Sequence, residues 1–382
     1  MLHRTIGAVA LGAALGLAPA AFAASTRTHV SNAGSDANTA FSCDYAHPCR
    51  TFAAALTETT PGGEILAIDS SGYGKVTIDR SVSIIAAPGA FAGIGVGSGN
   101  GVTIATAGVK VVLRGLSITG QGGSHGIYMT GGTSLTVENC VVANMGGNGL
   151  RVNTSATVRV LDSLFQGMGS NGATFIGAKA TISGSRFLGN LKGIEVSASS
   201  GETATATIER SLVSGSAEHG VEAYASGTGT TLVAVKDTVL SGNGFVGLVA
   251  NAAGGTVEIN ASQTTASGNG QEGFYAFAVP GLARMDIMHS ASTGNSRGVY
   301  SQAAGGGAAR VSVSESLVSG NATAGLRAYG TGARLVARGN TVTRNASGFE
   351  QLSSAVLESD GSNAVLYNAV DASGTITAFT RM

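Results

Sequence analysis

Short runs in which every second residue is apolar recur along the chain, and most begin directly after a glycine. Those glycines are Gly126, Gly149, Gly172, Gly193, Gly220, Gly247, Gly273, Gly298, Gly325 and Gly348, separated by 23, 23, 21, 27, 27, 26, 25, 27 and 23 residues. The next residue is Ile127, Leu150, Ala173, Ile194, Val221, Leu248, Phe274, Val299, Leu326 or Phe349. Two positions further on stand Met129, Val152, Phe175, Val196, Ala223, Ala250 and Ala276. A period of two predicts a strand with one buried face. Recurrence of that strand at this interval predicts a solenoid of stacked units, none able to bury its apolar face alone.

Each unit holds two more candidate strands. One covers Leu135–Val137, Val158–Val160, Thr207–Ile208, Val233–Val235, Val257–Ile259 and Val311–Val313. A third, shorter strand holds Cys140 and Val142, Leu164, Leu212, Val239, Leu317 and Val342. Three faces per turn follow. A turn then closes each unit with a recurring asparagine: Asn144, Asn190, Asn243, Asn269, Asn295, Asn321 and Asn345, at a constant spacing of 26 from Asn243 to Asn321. An Asn amide can both donate to and accept from the same amide one coil away, and Asn tolerates the left-handed backbone of a sharp turn. A structural Asn ladder is expected.

The outward positions carry the candidate chemistry. Two residues after the glycines the stacking order is Tyr128, Arg151, Thr174, Glu195, Glu222, Val249, Tyr275, Tyr300, Arg327, Glu350; four after them come Tyr224, Asn251, Phe277, Gln302 and Tyr329. Parallel strands sit about 4.8 Å apart, so the row forms a wall on the order of 45 Å long. Aromatic faces interleaved with planar polar groups suit a sugar chain. Tyr224, Tyr275, Phe277, Tyr300, Arg327 and Tyr329 are therefore the expected ligand-binding residues, although such a row also stabilises strand stacking by itself. Glu195 and Glu222 fall on adjacent coils, where two carboxylates are expected to raise one pKa or to hold a cation. With His219 and Arg151 they form the candidate catalytic set, and Lys192 and Glu218 are expected nearby. A lyase needs a base and a group that neutralises a uronate carboxylate; a hydrolase needs two carboxylates about 5–9.5 Å apart.

The ends and the composition narrow this picture. Residues 1–23 carry His3 and Arg4, an apolar core from Ile6 to Leu17 and Ala21-Phe22-Ala23, which predicts an export signal cleaved near Ala23 and a secreted or periplasmic protein. No later stretch has 18 continuous apolar residues, so no membrane insertion is expected. Removing Arg4 leaves 21 basic against 22 acidic residues, which gives no support for nucleic acid as a partner. With 59 glycines, 5 prolines, no tryptophan and 12% charged residues, the chain suits many short strands joined by tight turns. Cys43 and Cys49 flank a short loop and, in an oxidising compartment, read as a local disulfide. Cys140 falls on an inward position and reads as a buried, inert thiol.

The stretch from His29 to Ser83 resembles the start of many secreted bacterial right-handed β-helix proteins. The resemblance rests on Val30-Ser31, Gly34-Ser35-Asp36, Pro48-Cys49-Arg50-Thr51-Phe52-Ala53-Ala54-Ala55-Leu56, Pro61-Gly62-Gly63-Glu64-Ile65 and Ser81-Val82-Ser83-Ile84. With the repeats, the mature chain resembles the right-handed parallel β-helix, or pectate-lyase-like, superfamily. That implies an all-β, single-stranded right-handed parallel solenoid of roughly 12 coils. Thr51 is expected to cap a short helix whose Phe52, Ala55 and Leu56 cover the open end of the first coil. The expected boundaries are a signal at 1–23, an N-terminal cap at 24–62, the β-helix at 63–362 and C-terminal strands at 363–382. The clusters that mark the superfamily's lyases, polygalacturonases and epimerases do not occur in this chain, so no catalytic residue carries over. No cofactor is expected; calcium at the glutamate pair stays open, without a calcium motif. Three readings remain, with binding of a polysaccharide or cell-surface glycan without turnover preferred. The others are a polysaccharide lyase, hydrolase or epimerase with an atypical site near Glu195 and Glu222, and a structural or adhesin-like surface protein.

Overall fold

A computed structural model describes residues 24–379, so the expected export signal lies outside the described residues. The alternating runs form three parallel sheets, wound so that each turn of chain adds one strand to each. One turn runs through His125–Met129, Ser134–Glu138 and Val141–Ala143. The first sheet has 13 strands, from Val76–Ile78 to Val370–Ser373. The second has 15, from Ser25–Val30 to Ile376–Ala378, and the third has 13, ending at Ala364–Leu366. The three last strands thus extend the sheets by a further turn.

Register is kept from coil to coil. Ile127 pairs with Leu150, Leu150 with Ala173 and Ala173 with Ile194, and all four side chains are fully buried. In the third sheet the inward residues are Phe165, Val213, Leu240 and Val318, so Leu164, Leu212, Val239 and Leu317 face outward. The repeat glycines mark the corner where the third sheet turns into the first. A Cβ on Gly220 would lie 2.6 Å from the Gly247 carbonyl oxygen and 2.9 Å from Asn243 Nδ2, closer than real Cβ atoms come. Close approach of neighbouring coils fixes glycine at this position.

Two hydrogen-bonded ladders line the corners. Asn243, Asn269, Asn295, Asn321 and Asn345 each donate through Nδ2 to the amide oxygen of the next rung at 2.9–3.2 Å, and the run ends on Asn368. Asn190 accepts from the Met168 N–H at 3.1 Å, but Ser216 occupies the following rung and separates it from the continuous run. Asn144 is not a member. It is exposed at φ 56°, and the ladder position on its coil is held by Met145; the left-handed residue precedes the ladder residue by one, and on this coil the asparagine takes the left-handed position. At the corner between the second and third sheets a parallel ladder is built from hydroxyls, with backbone N–H groups of Cys140, Ser163 and Ser185 donating to the hydroxyls of Ser163, Ser185 and Ser211 at 3.1–3.3 Å.

The N-terminal end is closed by α1 (Phe52–Glu58). Thr51 Oγ1 accepts from the Ala54 N–H, and Phe52, Ala55 and Leu56 are buried against the first coil. Cys43 and Cys49 form a disulfide in the preceding loop, which also contains a short 3₁₀ helix, Asp36–Phe41. Cys140 is buried without a disulfide partner. Among the described residues, no helix is long and apolar enough to cross a membrane.

Candidate functional site

The outward row of the first sheet runs in strict register, with Tyr128 paired to Arg151, Arg151 to Thr174, Thr174 to Glu195, and Glu195 to Glu222. It continues through Val249, Tyr275, Tyr300 and Arg327 to Glu350. The residue three positions earlier on each coil lies at the corner and reaches over the same face. These corner residues include His125, Asn148, Asn171, Lys192, His219, Glu272 and Arg297.

Corner and row interlock into a polar chain over the middle coils. Asn148 and Asn171 both donate to Thr174 Oγ1, at 2.6 and 3.0 Å, and Asn171 Nδ2 also lies 3.0 Å from Glu195 Oε2. Lys192 Nζ donates to Glu195 Oε2 at 3.2 Å and to Glu222 Oε2 at 2.5 Å. Asn251 Nδ2 completes the set on Glu222 Oε1 at 2.9 Å. Of the two expectations for the adjacent glutamates, a raised pKa does not hold for Glu222. Burial pushes Glu222 up, but the Lys192 ammonium and the two hydrogen bonds outweigh it and hold the carboxyl below its usual range. The cation between the carboxylates is the protein's own lysine.

His219 lies beside this chain. Burial, with Lys192 adding to it, lowers its pKa against the pull of Glu222, so the ring is neutral near pH 7. Its Nδ1 is buried without a hydrogen-bond partner, and its edge meets the Phe245 ring at 5.8 Å. Phe245 is 41% exposed, an open aromatic surface next to the buried charges. Arg151 stands two rungs from Glu195, with Thr174 between them, and makes no contact with the glutamates. Its charge, after burial, lowers the pKa of His125.

The aromatic half of the row is packed against itself. Tyr275 and Tyr300 stack at 5.1 Å and 11°, and Tyr275 and Phe277 at 5.6 Å and 23°. Arg297 and Arg327 lie over the Tyr300 ring at 5.0 and 5.3 Å, and Arg327 also over Tyr329 at 5.8 Å. Tyr300 is only 7% exposed, so the ring faces are spent on neighbouring rungs and what remains towards solvent is edges. Beneath them Glu272, 1% exposed, accepts from Arg297 Nε at 2.7 Å while its second oxygen has no partner. Burial pushes its pKa up.

A profile described as "Right handed beta helix region" matches residues 92–264. The fold is similar to the A-module of the mannuronan C-5 epimerase from Azotobacter vinelandii, at 12% identity and a TM-score of 0.56 over 82% of this chain and 91% of that one. It is also similar to the catalytic unit of a thermostable α-1,3-glucanase from Streptomyces thermodiastaticus, at 16% identity and a TM-score of 0.53 over 91% of this chain and 69% of that one. No curated protein matches the chain in sequence.

The chain folds as a right-handed parallel β-helix. In this β-helix the sequence-derived columns and the structural ones coincide for Glu195, Glu222, Tyr275, Tyr300 and Arg327, while Tyr224 and Tyr329 sit half-buried on the adjoining column. Lys192, His219 and Glu222 come together; Arg151 stays apart. Phe245 lies in a corner, outside the period-two pattern, so the repeat spacing does not point to it. A cleft of about 540 Å³ also opens at the N-terminal end of the same face, lined by Leu56 and Thr57 of α1 with Lys75, Asp79, Arg80 and Asn100. Thr77 and Thr103, also in its wall, continue the column that leads to Tyr128.

Proposed function

We propose that this β-helix binds a polysaccharide along the outer face of the first sheet, centred on the middle coils and not on the aromatic half. The observation that carries the reading is the exposed Phe245 ring set beside the connected chain of Asn171, Glu195, Lys192, Glu222 and Asn251. An open ring offers a sugar its apolar face, and neighbouring planar groups take its hydroxyls. The solved structures with a similar fold include an epimerase of mannuronan and a glucanase of an α-1,3-glucan, which supports a glycan as the ligand class.

One observation favours a second reading, proton abstraction from a uronate as in a lyase or epimerase. A neutral His219 beside a protonated Lys192 has the features of a base next to a cation. Acid-base hydrolysis by Glu195 and Glu222 is disfavoured, since Glu222 is held ionised and one lysine ties both carboxylates.

Titration of neutral and uronate oligosaccharides against the wild type, Phe245→Ala and Asn171→Ala tests the reading. Each variant is expected to weaken binding about tenfold, corresponding to ~1.4 kcal/mol. Unchanged affinity in both rejects this face. Turnover of a uronate polymer that is lost in His219→Gln, with binding retained, replaces the binding reading by the second one.

A further inference from the structure

The outer face of the second sheet carries an arrangement that stacking alone does not explain. Arg284, Arg310 and Arg334 pair with one another on three consecutive rungs. Like charges directly opposite on neighbouring strands destabilise a sheet. The outer two are compensated: Arg284 Nη1 meets Glu258 Oε1 at 2.5 Å, and Arg334 binds Glu358 through two bonds of 2.6 and 2.9 Å. Arg310, the middle one, has no hydrogen-bond or ion-pair partner among the described residues, and it is exposed. Two residues along the neighbouring strand, Asp286 is also without a hydrogen-bond or ion-pair partner among the described residues. Arg284, Arg310 and Arg334 frame one cleft of about 230 Å³ with Asp286, Ser312 and Val336.

We propose that this cleft is a binding site for a carboxylate-bearing sugar, with Arg310 as its anchor. The site is separate from the first-sheet face and does not rest on the glycan reading given above. A guanidinium presents a planar fork that matches a carboxylate in two parallel bonds. The flanking arginines are already engaged, so the free fork takes one anionic group. Asp286 sets the rest of the ligand. An unpaired carboxylate repels a bare dianion such as phosphate but accepts from a hydroxyl, and Ser312 between Asp286 and Val336 supplies a further polar contact. Val336 gives the wall a small apolar surface for the sugar's C–H face. The volume falls below the roughly 300–1,000 Å³ of sites for drug-sized ligands, which limits the occupant to one or two sugar units.

The test is calorimetric titration with digalacturonate, its methyl ester and sodium sulfate, using the wild type, Arg310→Gln and Asp286→Asn. Digalacturonate is expected to bind the wild type, with at least tenfold weaker binding in Arg310→Gln. The ester is expected to bind at least tenfold more weakly than the acid, and sulfate is expected not to compete. Asp286→Asn should lose several-fold affinity for the sugar acid while gaining affinity for sulfate. Thermal melting is expected to show Arg310→Gln as stable as the wild type or more so, because a like-charge rung has gone. Equal affinity in wild type and Arg310→Gln overturns the proposal and leaves the first-sheet reading standing. Sulfate competing as well as digalacturonate reduces the cleft to a general anion site and overturns it too, as does a lowered melting temperature in Arg310→Gln, which would make Arg310 a structural residue.

Discussion

At the scale of single residues, the sign of a charge is set by one neighbour. Glu222 is 5% exposed, and its depressed pKa depends on Lys192. A carboxyl whose folded pKa lies below its ordinary 4.5 contributes stability that is complete above that pH and is lost as pH falls towards the folded value. Urea unfolding of the wild type between pH 6 and 3 is expected to show this loss, and Glu222→Gln to flatten it. Lys192→Met should reverse the sign, because burial, the largest influence on Glu222, is then opposed mainly by the Asn251 hydrogen bond and raises its pKa, so stability declines as pH rises through a window above 4.5. Its cost at neutral pH is on the order of 3 kcal/mol, that of stranding a buried charge. A downward slope towards acid in Lys192→Met would reject the lysine as the controlling neighbour. The adjacency of Glu195 and Glu222 was legible in the sequence because register in a parallel stack follows directly from the repeat. The lysine between them was legible only as a neighbour, since which way a corner side chain leans is decided by packing and not by spacing. Cys140 follows the same logic in simpler form. Burial pushes its thiol up to about 11, so native protein at pH 8 is expected to resist thiol reagents that label it after unfolding.

At the scale of elements, the corners are held by side chains that replace backbone partners. Asn295 accepts from the N–H and Nδ2 of Asn269 at 2.9 and 3.0 Å and donates to the Ala266 carbonyl at 3.1 Å. Asn295→Ala removes all three bonds at a buried corner, leaving Asn269 Nδ2 only the Leu240 carbonyl and the Asn269 N–H without its acceptor, with an expected loss on the order of 3 kcal/mol. Asn144→Ala should cost only about 1 kcal/mol, from alanine's reluctance to hold a left-handed backbone. Chemical denaturation of the two variants separates ladder from turn; equal losses would contradict the one-residue offset described here. That offset shows where sequence reading failed. From Asn243 onward the turn residue is mostly glycine and the ladder residue asparagine, whereas Asn144 is itself the turn residue, and its chemistry suits both roles. The hydroxyl ladder was invisible for another reason. Ser163, Ser185 and Ser211 stand among many serines and threonines, so nothing but geometry distinguishes them. The cap was plain, because Thr51 precedes a helix with one apolar stripe.

At the scale of the whole molecule, the stack behaves as a sum of coils and interfaces, each touching only its neighbours. Residues 243–268 make up one full coil, from one ladder asparagine to the residue before the next, and contribute one strand to each sheet: Leu248–Ala253, Thr256–Ser262 and Thr265–Ser267. Their excision joins Gly242 to Asn269, a step already present as Gly268 followed by Asn269. All three sheets then close in register, with Val221 meeting Phe274 and the end caps untouched. Circular dichroism and gel filtration are expected to show a folded, slightly shorter β-protein with a melting temperature lowered by some degrees. Removing 243–254 instead leaves the chain half a turn out of phase, places polar faces inside, and is expected to abolish folding. A one-coil deletion that fails to fold would mean the coils are not interchangeable and that some long-range contact holds the stack. The same deletion bears on function. It removes Phe245 and Asn251 and brings the Tyr275 rung directly onto Glu222, so a well-folded product that still binds the wild-type glycan with full affinity would move the site away from the middle coils.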